Sequence, residues 1–208
     1  MYRVNDIFYS LQGEGHNTGR AAVFVRFAGC NLRCGFCDTE FDSFREMTGE
    51  DIVTEMTQYP ARFAVLTGGE PTLQVNEAFV DLLHQHGFEV AMESNGTRPA
   101  PTNLDWLTMS PKTREGCLVK GKGRIPDELK VIFDENTIPE TYLPSLQAKR
   151  ASSSAPFTRH PSPALYLQPC DTGDAERNAH IIQRCIDYIK EHPQWRLSLQ
   201  THKLANFK

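Results

Sequence analysis

Three closely spaced cysteines carry the clearest chemical signal in this sequence. Cys30, Cys34 and Cys37 form a Cys-x3-Cys-x2-Cys pattern directly after the apolar run 22–28. A structural zinc site needs four ligands, whereas three thiolates suit a 4Fe-4S cluster that leaves one iron open for reaction. Disulfide bonds and inert core cysteines are the alternatives, and both fit poorly with so polar and so tightly spaced a loop. The pattern therefore predicts an iron–sulfur cluster.

The other three cysteines lie in unrelated settings. Cys185 falls on the apolar stripe of a predicted helix, which indicates the core, and Cys117 lies in a connection rich in Gly, Lys and Arg. Cys170 follows a predicted strand, on a loop where its neighbours matter more than its sulfur. We expect none of the three to bind the cluster.

Composition limits the classes of protein that the sequence allows. The chain has 208 residues, 39% of them hydrophobic, which predicts one domain over 1–208. Because 22 Lys and Arg stand against 26 Asp and Glu, no broad basic surface for nucleic acid is expected. The N-terminal residues lack a signal-peptide core, and no apolar run approaches the ~20 residues that span a bilayer. We therefore expect a cytosolic protein with no membrane contact.

The segment 148–163 is rich in Ser and Pro and is predicted to be a mobile surface excursion.

Apolar strands that end in polar loops recur along the chain. They are predicted at 22–28, 63–66, 88–92, 104–109, 129–133, 164–167 and 195–199. Helices are predicted from the N-cap Thr48 to about Gln58, from Asn76 to Gly87, and over Ala175–Glu191. Ligands of α/β folds bind at the carboxyl ends of the strands, so the polar loops should meet on one face. The pattern predicts an α/β fold, an abbreviated open (β/α) barrel with six or seven mostly parallel strands.

Two features near the start of the chain admit more than one interpretation. A short strand over 3–10 enters the glycine-flanked loop 12–15, which is either a surface turn or a loop whose backbone approaches a ligand. Arg26 lies within an apolar strand, where a buried guanidinium requires a partner. That partner is either an internal Glu or the anionic group of a ligand.

The cysteine pattern, with the aromatic Phe36 directly before the third cysteine, resembles the signature of the radical S-adenosylmethionine (SAM) enzymes. Gly-Gly-Glu-Pro at 68–71 follows a predicted strand and matches the element that holds the amino group of SAM in that superfamily. The flanks Leu-Gln-Gly-Glu-Gly at 11–15, Cys-Asp-Thr at 37–39 and Gln-Thr-His-Lys at 200–203 resemble the 7-carboxy-7-deazaguanine synthase family of queuosine biosynthesis.

This resemblance implies a lyase that contracts the ring of 6-carboxy-5,6,7,8-tetrahydropterin to 7-carboxy-7-deazaguanine and releases ammonia. It implies a barrel of radical SAM type, a 4Fe-4S cluster, and SAM that is regenerated rather than consumed. It also implies Mg²⁺ on Thr39, a residue that in an arbitrary protein would most often cap a turn. The implied partners are the small-molecule pterin, a second copy of the chain in a homodimer, and an electron donor such as flavodoxin.

The resemblance also assigns individual residues. The cluster ligands are Cys30, Cys34 and Cys37. The residues placed along SAM are Phe36, Cys37, Asp38, Gly69, Ser110, Pro111, Lys112, Gln168, Pro169, Cys170 and Asp171. The residues placed at the substrate are Leu11, Gln12, Gly13, Glu14, Arg26, Thr67, His202 and Lys208, with Arg26 as a fork for the substrate carboxylate. The proton that leaves C7 of the substrate has three candidate acceptors, Glu14, Glu93 and His202.

Two other classes of protein share part of this pattern. A small radical SAM activase, which makes a glycyl radical on a partner protein, has the same cysteine spacing but needs an open surface for a protein loop. A zinc-binding module would use the three cysteines and His202. A brown, air-sensitive preparation of the protein would exclude the zinc-binding module. The flanks at 11–15 and 200–203 favour a small heterocycle over a protein loop as the substrate.

Overall fold

The computed structural model describes residues 1–37, 39–40, 42–112, 124–143 and 162–208. Three of the sequence predictions fall wholly or mostly outside these ranges: those for Asp38, Cys117 and the segment 148–163. They remain predictions, as does the single-domain organisation.

The described residues form one sheet of nine strands in the order β3-β1-β2-β4-β5-β6-β7-β8-β9. The strands are β1 (Tyr2–Leu11), β2 (Ala21–Phe27), β3 (Arg45–Met47), β4 (Phe63–Gly68), β5 (Glu89–Ser94), β6 (Trp106–Met109), β7 (Glu128–Phe133), β8 (Ala164–Pro169) and β9 (Trp195–Leu197). From β2 through β4 to β9 every neighbouring pair is parallel, whereas β1 pairs antiparallel with both β2 and β3. The sheet ends at β3 and β9 without closing, so the predicted open, mostly parallel barrel is confirmed.

The strand count differs from the prediction at one edge. The seven parallel strands are those that the apolar runs predicted, and β1 extends the short strand predicted at 3–10. The edge strand β3 was not predicted, because three residues are too few to show an alternating pattern.

The structure describes four α-helices, and the first three begin at side-chain caps. They are α1 (Gly49–Met56), α2 (Glu77–Gln85), α3 (Ala175–Glu191) and α4 (Thr201–Ala205). Thr48 and Asp51 cap each other reciprocally at the start of α1, and the side chain of Asn76 accepts from the N–H of Phe79 at the start of α2. Gly87 follows α2 with φ +79°, the left-handed geometry that ends a helix most easily with glycine. None of the described helices is both long and apolar enough to cross a membrane.

The two faces of the sheet bury different sets of side chains. Alternate strand residues such as Val25, Leu66 and Val131 pack under α1, α2 and α3 in one large apolar cluster. That cluster contains Cys185, which has no exposed surface, so its predicted place in the core is confirmed. The opposite, concave face holds a smaller cluster in which Phe8 and Phe24 stack with ring centres 4.9 Å apart. Beyond this apolar layer, toward the carboxyl ends of the strands, the concave face becomes polar.

Candidate active site

A cavity of about 700 Å³ opens at the carboxyl ends of the parallel strands. Nearly all of the sequence-predicted site residues line it, although they come from segments as far apart as Leu11 and Lys208. Pro111 is not among the lining residues, and Asp38 lies outside the described ranges. All eight residues predicted at the substrate and the three candidate proton acceptors line this one cavity.

The cysteine loop leaves β2 and forms one wall of the cavity. Cys30, Cys34 and Cys37 all line it, and the N–H of Cys37 donates to the carbonyl of Cys34 at 3.1 Å. Burial raises the pKa of the Cys34 thiol, and the nearby sulfurs of Cys37 and Cys30 add to the shift. The positive charge of Lys112 opposes this shift, and iron bound to the three sulfurs would favour their thiolate forms further. Within the described ranges no three metal-binding side chains converge on a single ion, whereas each cysteine of a 4Fe-4S cluster binds a separate iron.

The end of β4 packs against the start of the cysteine loop without any space for side chains. A Cβ on Gly69 would lie 2.0 Å from the carbonyl oxygen of Gly29, and Gly68 adopts φ +119°. The N–H of Gly69 donates to the carbonyl of Phe27 at 3.0 Å, and the N–H of Glu70 donates to that of Gly29 at 2.9 Å. Glycine is therefore required by close backbone contact beside the cluster loop.

The buried side chain of Glu70 stabilises this junction by accepting several hydrogen bonds. Its side chain is fully buried and accepts from the N–H and hydroxyl of Thr72, the hydroxyl of Ser94 and the N–H of Asn95. The side-chain amide of Asn95 in turn donates to Asn31 in the cysteine loop at 3.0 Å. The Gly-Gly-Glu-Pro motif does not by itself indicate this internal role, because the role depends on contacts with residues at the end of another strand.

Arg26 lines the cavity, and no acid within the described ranges forms an ion pair with it. Its Nε is buried and has no hydrogen-bond partner in the described part of the chain, while Cζ lies 5.3 Å from the centre of the Phe8 ring. Asp6 is its neighbour on β1 but pairs with Lys208 at 2.6 Å, and Thr67 lies beside Arg26 on β4. Of the two interpretations left open by the sequence, these contacts favour a ligand anion.

The loop after β1 and the start of α4 form a second wall. The N–H and hydroxyl of Thr201 both donate to the carbonyl of Gly13, at 3.0 and 2.9 Å. A Cβ on Gly13 would lie 2.5 Å from Nδ1 of His202, so this position admits only glycine without a shift of the imidazole. The motifs at 11–15 and 200–203 are thus one structural unit.

A buried lysine joins two carboxylates in the floor of the cavity. Lys130, on β7 and only 3% exposed, donates to Glu14 and lies 3.6 Å from Glu93. Gln12 donates to the other oxygen of Glu93 at 2.9 Å, and Gln200 donates to the other oxygen of Glu14 at 3.1 Å. Sequence reasoning missed Lys130 because it treated 129–133 as an apolar strand. A charged residue inside such a run was the available signal.

The ionisation of this floor follows from those contacts. Burial acts to raise the pKa of Glu14, but the charge and hydrogen bond of Lys130 outweigh it and lower that pKa to about 2. Burial acts to lower the pKa of Lys130, and the surrounding carboxylates raise it above its ordinary value instead. Glu128 lies behind the cavity wall, where burial raises its pKa to about 7 although His16 donates its N–H to it at 3.0 Å. Near neutral pH, Glu14 is a carboxylate and Glu128 is partly protonated.

The remaining predicted SAM residues that line the cavity come from the end of β8 and from the loops after β6 and β8. Lys112 donates to the Ser110 hydroxyl at 2.8 Å, and burial lowers the pKa of this lysine. Gln168 is buried and accepts from Ser198, while Asp171 pairs with Lys203 at 2.8 Å. Cys170 also lines the cavity.

Comparison with known proteins places this site in a family. Residues 24–114 match the family model described as the Radical SAM superfamily. Over 208 residues the chain is 41% identical to 7-carboxy-7-deazaguanine synthase of Bacteroides thetaiotaomicron, and the alignment covers 100% of both chains. The chain belongs to the 7-carboxy-7-deazaguanine synthase family. The family member of Bradyrhizobium diazoefficiens is 42% identical, with 97% of each chain covered. The fold of this chain also matches the crystal structure of QueE from Escherichia coli with a TM-score of 0.72, at 26% identity over 95% of this chain and 93% of that one.

Proposed function

We propose that this chain converts 6-carboxy-5,6,7,8-tetrahydropterin into 7-carboxy-7-deazaguanine, with ring contraction and release of ammonia. The observation that carries the proposal is the full-length similarity to synthases of that name. The geometry supports it, because one cavity collects the cysteine loop, the glycine-rich end of β4 and the loop after β1. A pocket of about 700 Å³ is large enough to hold a nucleoside cofactor and a small heterocycle together.

As a radical SAM enzyme, the protein uses a 4Fe-4S cluster and SAM. Together they supply a 5′-deoxyadenosyl radical that removes a hydrogen atom from the substrate. We assign Cys30, Cys34 and Cys37 to the cluster, and we keep the predicted SAM residues, including Asp38 and Pro111, as proposals. The chain's own contribution is placement: the walls hold the reactants together and exclude water.

The test of this function is anaerobic reconstitution followed by incubation with the carboxytetrahydropterin, reductant and SAM. Expected results are a brown protein and the formation of 7-carboxy-7-deazaguanine with one ammonia per turnover. A glycyl-radical activase would leave the pterin unchanged, and a zinc module would show no visible absorption from iron and sulfur. Either outcome would overturn the proposal.

We propose that Arg26 binds the substrate carboxylate through its guanidinium fork. Arg26→Lys keeps the charge but loses the two parallel hydrogen bonds, so substrate binding should weaken by roughly 1 to 3 kcal/mol. Titration of the SAM-loaded enzyme with substrate measures this loss. SAM affinity should be nearly unchanged. Arg45→Lys, which alters an exposed pair with Glu55, is the matched control and should change neither affinity. If SAM binding falls as much as substrate binding, Arg26 is structural.

We propose that Thr39 supplies one oxygen ligand to Mg²⁺, with the other ligands coming from substrate and water. Thr39 lines the cavity two residues after the last cluster cysteine. Thr39→Ala should raise the Mg²⁺ concentration needed for turnover and leave the cluster spectrum and SAM binding as they are. Thr39→Ser should be milder, because it retains the hydroxyl. Wild-type turnover that persists undiminished after exhaustive chelation contradicts the assignment.

Several further predictions from the sequence are kept as proposals. They are a homodimer, an electron donor such as flavodoxin, a cytosolic location, and the absence of nucleic-acid and membrane partners. Glu14, Glu93 and His202 remain the candidates for accepting the proton from C7, since all three line the cavity. The contact with Lys130 lowers the pKa of Glu14, which makes this carboxylate a weaker base than an ordinary glutamate.

A further inference from the structure

We propose that Lys130 is a positioning residue, which holds Glu14 and Glu93 side by side as two ionised carboxylates facing the N–H-rich edge of the substrate. The proposal rests on the proposed function, specifically on Glu14 as a substrate contact. It adds a residue from β7 that the sequence motifs do not contain.

Lys130 is a buried cation whose contacts are with acids. Its ammonium is buried among carboxylates from three elements: Glu14 from the loop after β1, Glu93 from β5 and Glu128 from its own strand. It donates to Glu14 and lies 3.6 Å from Glu93, so a single cation spans the gap between the two acids. Without it, two carboxylates would share one poorly solvated site, which favours protonation of one of them.

The substrate explains why two ionised acceptors are useful here. The aminopyrimidinone ring of a pterin presents adjacent N–H donors, which carboxylates accept in charge-assisted hydrogen bonds. Gln12 and Gln200 each donate to the remaining oxygen of one acid, which fixes both carboxylates in orientation. A protonated acid would present a hydroxyl donor toward an N–H donor and lose the contact.

Other charges reach these carboxylates from neighbouring elements. They are Lys112 after β6, His202 on α4 and Glu128 on β7. Lys112 donates to Ser110 rather than to an acid, and the imidazole of His202 packs over Gly13. Neither replaces the direct contact that Lys130 makes with Glu14.

The decisive variant is Lys130→Met, which keeps an unbranched side chain, one atom shorter, and removes its charge. Substrate binding to the SAM-loaded enzyme should weaken about 10- to 100-fold at pH 7, as expected for loss of a charged hydrogen bond. Because the pKa of Glu14 then rises, the pH below which substrate binding fails should move upward by about one to three units. Binding should therefore recover as the pH is raised, while SAM affinity and the cluster spectrum stay unchanged.

Two further variants separate this inference from the function on which it rests. Glu14→Gln should weaken substrate binding at every pH, and adding Lys130→Met to it should cost little more, because the lysine acts through the acid. Lys190→Met, which removes an exposed pair with Asp187 on α3, is the matched control, and its pH profile should match the wild type. If Lys130→Met does not fold, the same pH comparison is made between Glu93→Gln and Glu93→Gln/Lys130→Met.

The outcomes are distinguishable. Normal substrate binding by Glu14→Gln overturns the substrate role of Glu14, whatever Lys130 does. Weak binding by Glu14→Gln together with an unshifted pH profile in Lys130→Met overturns the positioning role alone. Equal loss of SAM and substrate binding in Lys130→Met marks the lysine as structural and also overturns it.

Discussion

Cys34→Ala is expected to abolish turnover completely and to yield a protein without the visible absorption of an iron–sulfur cluster. Two cysteines cannot hold three of the four irons, and the chemistry of the family depends on the fourth iron remaining open. Cys30→Ala and Cys37→Ala should behave in the same way, since all three thiols line the same cavity. Iron and sulfide content after anaerobic reconstitution, with the visible spectrum, provides the measurement.

The matched control is a variant in which the other three cysteines are replaced together, Cys117→Ser, Cys170→Ser and Cys185→Ala. Cys170 makes this control stringent, because it lines the same cavity as the three cluster cysteines although it lies on the loop after β8. Alanine suits Cys185, since a hydroxyl at this fully buried site would lack a partner. This variant should keep its full iron content. Loss of the cluster from it would show that the three-cysteine assignment is wrong.

Glu70→Gln is expected to have the second-largest effect, a destabilisation of roughly 2 to 4 kcal/mol. A carboxylate accepts at both oxygens, whereas the amide of glutamine places N–H donors against the N–H of Asn95 or the donors of Thr72. The same substitution should weaken the packing between the end of β4 and the cysteine loop, so the affinity for SAM should also fall. Chemical denaturation under anaerobic conditions measures the free energy of unfolding.

Ser94→Ala is the control for Glu70→Gln. It removes one hydroxyl donor, 2.9 Å from Glu70, and leaves the carboxylate with its contacts to Thr72 and Asn95. Its cost should be about 1 kcal/mol, the usual net value of one hydrogen bond. Equal stability of the two variants would mean that Glu70 does not act as the central acceptor.

Features that depend on neighbours along the chain were predictable from the sequence. The spacing of Cys30, Cys34 and Cys37 places three thiols on one short loop whatever the rest of the fold does. Caps such as Asn76 and the apolar stripe over Ala175–Glu191 fix the ends and faces of helices, because helical contacts involve residues three or four apart. The apolar runs likewise predicted the seven parallel strands, because strands covered on both faces need continuous hydrophobicity.

The tertiary structure decided which partners the polar residues have. The register of β1 and β2 places Asp6 opposite Arg26, but the carboxylate of Asp6 pairs with Lys208, which lies 202 residues further along the chain. Lys130 and Glu14 are 116 residues apart, so no spacing rule connects them, and they meet because the fold brings the loop after β1 against β7. The free energy of a buried charge depends on what lies across the strands rather than along them. For that reason the sequence by itself determined the cofactor chemistry, and the fold determined the electrostatics of the floor on which the substrate is proposed to lie.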